Sequence, residues 1–280
     1  MSVAQSAANQ GFAALLSAID WTRPWFRPFA AIGARLGSAV ADGGSLHACL
    51  NELASGIGLR NVRGLPMAFV AQDELPVGVA YEAHIHATGT VPTRDNLHDF
   101  FNALIWLHFP QTKARLNAIQ AEVIAHAGVQ AGRGGMRDAA TLFDENAVLF
   151  LSIDASLATA LRGFGWEELF VRRRQDWDHQ CVVLPFGHAL LEKLVSPYKS
   201  VTAHAWPLAL PARSASPSVI DASLAESLHH AADAGALRGG RSFAPLPVMG
   251  IPGWCDANAD AAFYRDATVF RPGRRQSPSS

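Results

Sequence analysis

Cysteine is scarce in this sequence, and the few cysteines have no pairing pattern. Cys49, Cys181 and Cys255 are far apart, odd in number and form no C-x-x-C pair. A disulfide framework needs an even set of cysteines, and a cysteine-based zinc site needs them in short pairs. Neither is indicated, so we expect a protein of a reducing compartment, the cytoplasm.

Long apolar runs and net charge are also lacking. No stretch approaches the roughly 20 apolar residues of a membrane span, and residues 1–10 carry no positive charge of the kind that opens a signal peptide. The formal net charge is -1, which provides no basic field to attract nucleic acid. We therefore expect a soluble protein whose partner is neither a membrane nor a nucleic acid.

The motifs of several well-known enzyme classes are missing. The sequence contains no Walker loop, no G-x-G-x-x-G, no G-x-S-x-G and no H-E-x-x-H. These absences argue against a P-loop NTPase, a Rossmann dehydrogenase, a typical α/β-hydrolase and a zincin.

What the sequence does have is a high apolar content with helical spacing. Hydrophobic residues make up 49% and charged residues 17% of the chain, a composition suited to a sizeable core and too poor in charge for disorder. Apolar residues recur three and four positions apart, as in Phe12, Leu15 and Leu16, which is typical of amphipathic helices. We predict a helix-dominated α+β fold with a small sheet, in which 1–272 form a single globular domain and 273–280 a disordered tail.

Spacing, capping residues and helix breakers place the helices along the chain. They are expected within 11–57 and at 95–109, 112–126, 156–162, 167–174, 188–195 and 223–234.

Strand-forming residues are concentrated in a few short segments. Residues 67–72 and 79–88 read as a hairpin or a pair of strands, which would point His84 and His86 to the same side. The apolar runs 147–153 and 181–186 are too short to assign by periodicity and are candidates to extend the sheet. Stretches rich in Gly, Pro or Ser are expected to be loops, namely 128–135, 207–219 and 235–253.

Four short polar residues share one face of the helix predicted to begin near Asp95. Asp95, His98, Asp99 and Asn102 are spaced i, i+3, i+4 and i+7 in an otherwise apolar segment. Short side chains lose little entropy when they are held in the fixed geometry of a site. A histidine beside carboxylates can serve acid–base catalysis or bind a divalent metal. The alternative interpretation is helix capping, with Asp95 as the N-cap.

Two further clusters contain acids or a histidine. Asp144 and Glu145 stand just before the apolar run 147–151, a position that suits carboxylates at the mouth of a pocket. His188 and Glu192 are i, i+4 neighbours that can share a ligand or a proton. Helix capping is the alternative for the first cluster, and chance spacing is the alternative for the second.

The same segments carry a set of longer motifs. They are Asn96-Leu97-His98-Asp99-Phe100-Phe101-Asn102 with Phe109-Pro110, Arg137-Asp138 with Asp144-Glu145, Phe186-Gly187-His188-Ala189 with Glu192-Lys193, and Pro245-Leu246-Pro247-Val248 with Trp254. In these motifs the chain resembles a bacterial family of proteins, the domain of unknown function DUF3025, from about Asp20 to Pro272. The resemblance implies one domain and brings no activity with it.

The leading functional hypothesis is a hydrolase of a small anionic or phosphate-bearing molecule, assisted by a divalent metal. The candidate catalytic residues are His98 as the acid–base group, Asp99 as its orienting carboxylate, and Asp144, Glu145 and His188. The candidate substrate-binding residues are Arg94, Asn102, Arg137 and Lys193. The candidate metal ligands are Asp95, His98, His188 and Glu192.

The rival hypothesis is a non-catalytic binding or scaffold protein. In that case the polar clusters are buried hydrogen-bond networks that specify the packing. A cavity open to solvent and lined by the candidate residues would favour the enzyme, whereas a sealed network would favour the scaffold.

Overall fold

Helices dominate the computed structural model, which describes residues 11–126, 134–209 and 215–273. The helices are α1 (11–17), α2 (Ala30–Ala41), α3 (Leu46–Gly56), α4 (Tyr81–Thr88), α5 (Leu97–His108), α6 (Pro110–His126), α7 (Gly134–Asn146), α8 (Ala155–Arg162), α9 (Trp177–Gln180), α10 (His188–Lys193) and α11 (Pro217–Asp233). Within these ranges no helix combines the length and apolar character needed to cross a membrane.

The strands of the described chain form two small sheets. The strands are β1 (Ala68–Ala71), β2 (Thr90–Thr93), β3 (Ala147–Ser152), β4 (Cys181–Pro185), β5 (Thr202–Ala209) and β6 (Ala244–Pro247). β1 and β2 pair in parallel. The second sheet has the order β4-β3-β5-β6, and β3 runs antiparallel to β4 and parallel to β5. The predicted fold class, a helix-dominated α+β fold with a small β-sheet component, is confirmed.

Helix α5 lies at the centre of the core. Asn96 caps its N-terminus, because the Asn96 side chain accepts a hydrogen bond of 2.8 Å from the backbone N–H of Asp99. Every residue from Phe100 to Leu107 is buried, as expected for a helix that is apolar on all sides. α5 packs against α3, α6 and α10. The polar residues of its first turn are thereby held at a junction of helices.

Residues 79–88 do not form the predicted strand. They contain helix α4, which ends at Gly89, where the backbone takes the left-handed conformation (φ 77°) that glycine adopts readily. β1 and β2 are parallel, so they need a crossover segment instead of a hairpin turn, and α4 is that crossover. His84 and His86 therefore lie on a helix, and the prediction that they share one side of a strand was wrong.

One strand, β6, and the last three residues of another, β5, lie in segments predicted to be loops. β6 and the end of β5 contain Pro207, Pro245 and Pro247, and proline is rare in strands because it donates no backbone hydrogen bond. β6 is an edge strand, and Pro207 lies beyond the β5–β6 pairing, which covers 202–205 of β5. Each proline thus lies where one side of its strand has no neighbouring strand, so the missing N–H breaks no hydrogen bond on that side.

Several boundaries also differ from the predictions. Residues 167–174 form a π-helical turn, Glu168–Arg172, followed by a 3-10 turn from Arg174 in place of one α-helix. α11 begins at Pro217 and not near 223, because Ser216 caps it and proline suits the first helical position.

Some predicted loops and the predicted tail fall partly outside the described residues. Of the glycine-rich segment 128–135, Gly134 and Gly135 begin helix α7, and the rest lies outside. Residues 210–214 of the second predicted loop and 274–280 of the predicted tail also lie outside.

Gly187 joins β4 to α10 where two chain segments pass very close to each other. A Cβ atom added there would lie 2.5 Å from the Cα and N atoms of Asn146 and 2.6 Å from the N atom of Ala147. We expect Gly187→Ala to lower the free energy of unfolding by about 3 kcal/mol, because backbone atoms where α7 meets β3 would have to move. Urea denaturation measures this loss.

A matched glycine in helix α3 provides the control. A Cβ added at Gly56 meets nothing within 4 Å, so Gly56→Ala should be neutral or stabilise the protein by up to about 1 kcal/mol. Equal stability of Gly187→Ala and the wild-type protein would contradict the close approach.

Candidate functional site

A cavity of about 290 Å³ opens between the helices that surround the first turn of α5. It is lined by Gln72, Leu75, Tyr81, Glu82, Arg94, His98, Asp99, Asn102, Asp144, Glu145 and His188. Pockets for drug-sized ligands start at about 300 Å³. The cavity is therefore of a size for a small molecule, and polar residues predominate in its wall.

Two imidazole rings and a carboxylate meet at the cavity wall. Nε2 of His98 lies 3.0 Å from Nε2 of His188, and the two rings are inclined by 82°. Oε2 of Glu145 is 3.6 Å from Nε2 of His188. One possible ligand atom from each of the three residues lies within 4.8 Å of the other two. These three residues, the histidine cluster below, can hold a divalent metal or pass a proton between them.

Three separate elements bring the histidine cluster together. His98 lies in the first turn of α5, two residues after the Asn96 cap. Glu145 is the penultimate residue of α7, and His188 is the first residue of α10, directly after Gly187. α10 packs against both α5 and α7, so the cluster depends on helix packing.

Glu192 supports His98 from outside the cavity. Its Oε2 is 3.1 Å from Nδ1 of His98, and the two side chains are 43% and 35% exposed. The contact orients the imidazole ring and favours a proton on Nδ1, because a carboxylate only accepts. Glu192 is one turn beyond His188 on α10, and its carboxylate serves the ring of His98.

His188 is a buried, neutral imidazole. Burial lowers its pKa to about 4, although the Asp144 carboxylate acts in the opposite direction. Its Nδ1 makes no hydrogen bond within the described chain, and Oδ1 of Asp144 is 3.9 Å away. At neutral pH the ring therefore has a lone pair available to accept a proton or to bind a metal.

A buried lysine lies beneath the cavity. Nζ of Lys113 donates hydrogen bonds to Oδ1 of Asp144 (2.5 Å) and Oδ1 of Asn102 (2.8 Å). Nδ2 of Asn102 donates in turn to the hydroxyl of Tyr81 (3.1 Å). Burial by itself would raise the pKa of Asp144, but the Lys113 ammonium and the two nearby histidines together outweigh burial, and the pKa is lowered. These four residues, the lysine network below, keep a charged pair satisfied inside the protein.

Arg94 and Asp99 form a second ion pair at the cavity. Nε and Nη2 of Arg94 donate to the two oxygens of Asp99 at 2.9 Å and 3.0 Å, and the Arg94 backbone N–H donates at 2.7 Å. The Asp99 side chain is 8% exposed and that of Arg94 57%. The Asp99 carboxylate thus binds Arg94 and, contrary to the prediction, does not orient His98. Glu192 has that role instead.

Glu82 is a further carboxyl on the cavity wall. Nδ2 of Asn117 donates to its Oε2 and also, at 2.9 Å, to its backbone carbonyl. Burial, and after it the Asp144 carboxylate, raises the pKa of Glu82 to about 7 against the opposing effect of the Lys113 ammonium. A carboxyl that titrates near neutral pH can give up or take a proton during a reaction.

Most of the predicted site residues lie together at the cavity, and some do not. Those that line it are Arg94, His98, Asp99, Asn102, Asp144, Glu145 and His188. Asp95, Arg137 and Lys193 are exposed and do not line it. Asn96 takes the N-cap position that the capping alternative assigned to Asp95.

Sequence reasoning missed three polar residues of the cavity wall and the buried lysine beneath it. Tyr81 and Glu82 were overlooked because 79–88 was predicted to be a strand, and Gln72 has no distinguishing pattern. Lys113 had a usable signal, since it is one of only three lysines and shares one face of α6 with Asn117. A lysine on the buried face of a helix needs a partner, because lysine is almost never fully buried unpaired.

The comparison with known proteins identifies a family. Residues 67–274 match the model of the family described as "Protein of unknown function (DUF3025)". The match covers most of the chain and all the residues that line the cavity, so the chain belongs to this family. No curated protein and no solved structure matches the chain.

Removal of the Lys113 charge should be strongly destabilising. We expect Lys113→Met to lower the free energy of unfolding by about 3–5 kcal/mol at neutral pH, because the buried Asp144 carboxylate loses its partner. Urea denaturation measures the effect, and the double variant Lys113→Met/Asp144→Leu should recover much of the loss.

A surface lysine is the matched control for this prediction. Lys199 pairs with Asp266 at 2.8 Å, with the two side chains 39% and 32% exposed, so Lys199→Met should cost less than about 1 kcal/mol. If Lys113→Met costs no more than Lys199→Met, the lysine network does not hold the helices together.

Glu82 should make the stability of the protein fall as the pH rises towards neutrality. Its pKa rises from 4.5 to about 7 on folding, so between these values the folded state holds a proton that the unfolded state has released. The stability that this proton contributes is complete below pH 4.5 and is lost as the pH rises through the folded-state pKa. The difference in the free energy of unfolding between Glu82→Gln and wild type should therefore shift by about 2–3 kcal/mol in favour of the variant from about pH 5 to about pH 8.

Urea denaturation of both proteins at the two pH values checks this. Glu226→Gln, on an exposed part of α11, should show no such difference. A Glu82→Gln variant whose stability relative to wild type is the same at both pH values would show that the carboxyl titrates normally.

Proposed function

We propose that the protein is a hydrolase of a small molecule and that the cavity is its active site. The observation that carries the proposal is the presence, in one cavity, of His188, which burial keeps neutral beside His98 and Glu145, and of Glu82 with a pKa of about 7. Groups whose pKa values are shifted towards the neutral form within one cleft are typical of acid–base catalysis.

The proposed reaction divides the work between the histidine cluster and Glu82. The cluster binds and orients a water molecule. The water gives a proton to the Glu82 carboxylate, its oxygen adds to the carbonyl or phosphoryl centre, and the leaving oxygen takes the proton from Glu82 as the bond breaks. Glu82 thus replaces His98 as the acid–base residue, because Nε2 of His98 is directed at Nε2 of His188.

The proposed substrate is a small ester with a carboxylate or phosphate group. Arg94 is the residue proposed to bind this group: its Nε and Nη2 serve Asp99, while Nη1 has no partner among the described residues. The guanidinium lines the cavity and is more than half exposed, so it is accessible to an anion.

The proposed setting is the cytoplasm of a bacterium. The resemblance of the motifs to a bacterial family supports the source, and Cys49 and Cys255, both free thiols, suit a reducing compartment. A small molecule is the proposed partner, since a net charge of -1 provides no field for nucleic acid.

A non-catalytic scaffold is the second candidate function. The lysine network favours it, because its members satisfy one another in the interior and specify the packing. The cavity favours the enzyme, because the histidine cluster and Glu82 stand at its wall, where a solute can reach them.

Hydrolysis of chromogenic esters tests the hydrolase. The probes are p-nitrophenyl acetate, p-nitrophenyl phosphate and bis(p-nitrophenyl) phosphate, incubated with the full chain. We expect cleavage of at least one, with kcat/KM lowered at least about 100-fold in Glu82→Gln and His188→Ala. In the wild type the rate should fall as the pH drops below about 7, where Glu82 becomes protonated.

The control variant is His229→Ala, which changes an accessible histidine of α11 outside the cavity and should leave the rate unchanged. If none of the three esters is cleaved, or if the rates of Glu82→Gln and His188→Ala equal that of wild type, the scaffold function is the better account.

A further inference from the structure

We infer that the histidine cluster is a binding site for a divalent transition metal and that zinc is the ion it suits best. His98, His188 and Glu145 would supply the ligand atoms. The inference concerns the cavity of the proposed hydrolase and rests on that function only for the role of the metal, which is to bind the attacking water.

The spacing of the three donors fits one shared ion. Zinc lies about 2.0–2.1 Å from each ligand nitrogen with tetrahedral angles, so two nitrogens on one zinc are about 3.3 Å apart. The two Nε2 atoms are 3.0 Å apart, and Oε2 of Glu145 is 3.6 Å from Nε2 of His188. The Glu145 side chain is 39% exposed, so its carboxylate has room to rotate towards His98.

The ring protons favour a cation between the two rings over a hydrogen bond between them. The Glu192 carboxylate holds a proton on Nδ1 of His98, so Nε2 of the neutral ring has a lone pair. If His188 donated its Nε2–H to that lone pair, the Nδ1 lone pair of His188 would face the Asp144 carboxylate at 3.9 Å. Two electron-rich groups would then face each other in the interior.

A bound cation removes this conflict. Both Nε2 lone pairs then point at the ion, and both rings carry their proton on Nδ1, directed at Glu192 in one case and towards Asp144 in the other. Metal-binding histidines usually have a carboxylate or a carbonyl behind the second nitrogen. The contact between His98 and Glu192 has this arrangement, at a hydrogen-bond distance of 3.1 Å.

The charge around the cluster also favours a cation. Glu145, Glu192 and Asp144 each have an oxygen within 3.9 Å of a ring nitrogen of the two histidines. Lys113 neutralises Asp144, and Lys193 acts on Glu145 from an exposed position. The rings themselves add no charge while they are neutral, so a dication balances the remaining carboxylates.

The donor set favours zinc and an open coordination position. Two imidazole nitrogens and one carboxylate suit a transition metal, whereas magnesium and calcium prefer oxygen ligands. Three protein ligands leave the fourth position for water, which is typical of catalytic zinc and not of structural zinc. That position would open to the cavity that Glu82 also lines, and zinc lowers the pKa of its bound water.

Metal titration of the full chain tests the inference. The protein is treated with EDTA, dialysed, and titrated with ZnCl₂ by calorimetry and with CoCl₂ by visible absorption. We expect one equivalent to bind, with cobalt bands of a four- or five-coordinate site. Zinc affinity should fall by about 100-fold or more in His98→Ala and in His188→Ala, because each variant removes a ligand.

Glu192→Gln is the most informative variant. Glu192 lies outside the ligand set and its side chain is 43% exposed, so the variant should fold, which circular dichroism checks. Loss of the carboxylate behind His98 should weaken zinc binding by about 10–100-fold. Glu226→Gln and His229→Ala, both outside the cavity, should bind zinc as the wild type does.

Two results would overturn the inference: no saturable binding near one equivalent, or the same zinc affinity in His98→Ala, His188→Ala and wild type. Tighter binding of Mn²⁺ than of zinc would overturn the choice of ion. The outcome is separable from that of the hydrolase. Zinc binding without ester cleavage keeps the metal site and removes the hydrolase. Cleavage by EDTA-treated, metal-free protein keeps the hydrolase and removes the role of the metal in it, while the titration still decides whether the metal site exists.

Discussion

The buried ion pair between Lys113 and Asp144 is the interaction on which the polar interior depends. It ties α6 to α7, and through Asn102 and Tyr81 the same network reaches α5 and α4. A buried charge is very costly once its partner is lost, so these four helices cannot separate without a large penalty. Their arrangement forms much of the cavity wall and helps to hold the histidine cluster in place.

The polar groups around the cavity are of two kinds. The lysine network and the Arg94–Asp99 pair are largely satisfied within the protein, and they provide rigidity. The histidine cluster and Glu82 keep lone pairs or protons that face the cavity. Burial favours the neutral form of both His188 and Glu82. It therefore lowers the pKa of the histidine and raises the pKa of the carboxyl. A rigid shell around a few unsatisfied groups is the arrangement that a preorganised site requires.

Local patterns predicted the features that depend on neighbouring residues. Helix α5 and its polar first turn follow from apolar periodicity and from an N-capping residue, although the cap is Asn96 and not Asp95. The segment 79–88 was predicted wrongly because its role as a crossover between two parallel strands is decided by residues outside it. β6 was missed because its prolines argue against a strand unless its position at the sheet edge is known.

The sequence was enough to predict the helical fold class and the candidate residues of the three clusters, because these depend on side-chain chemistry and short-range spacing. The partners of those residues could not. His98 and His188 are separated by 90 positions in the chain, and their contact exists because α10 packs against α5. In the same way, packing pairs Glu192 with His98 and Lys113 with Asp144. Spacing along the chain constrains only neighbours on one element, whereas the distance between elements is set by how the whole core packs.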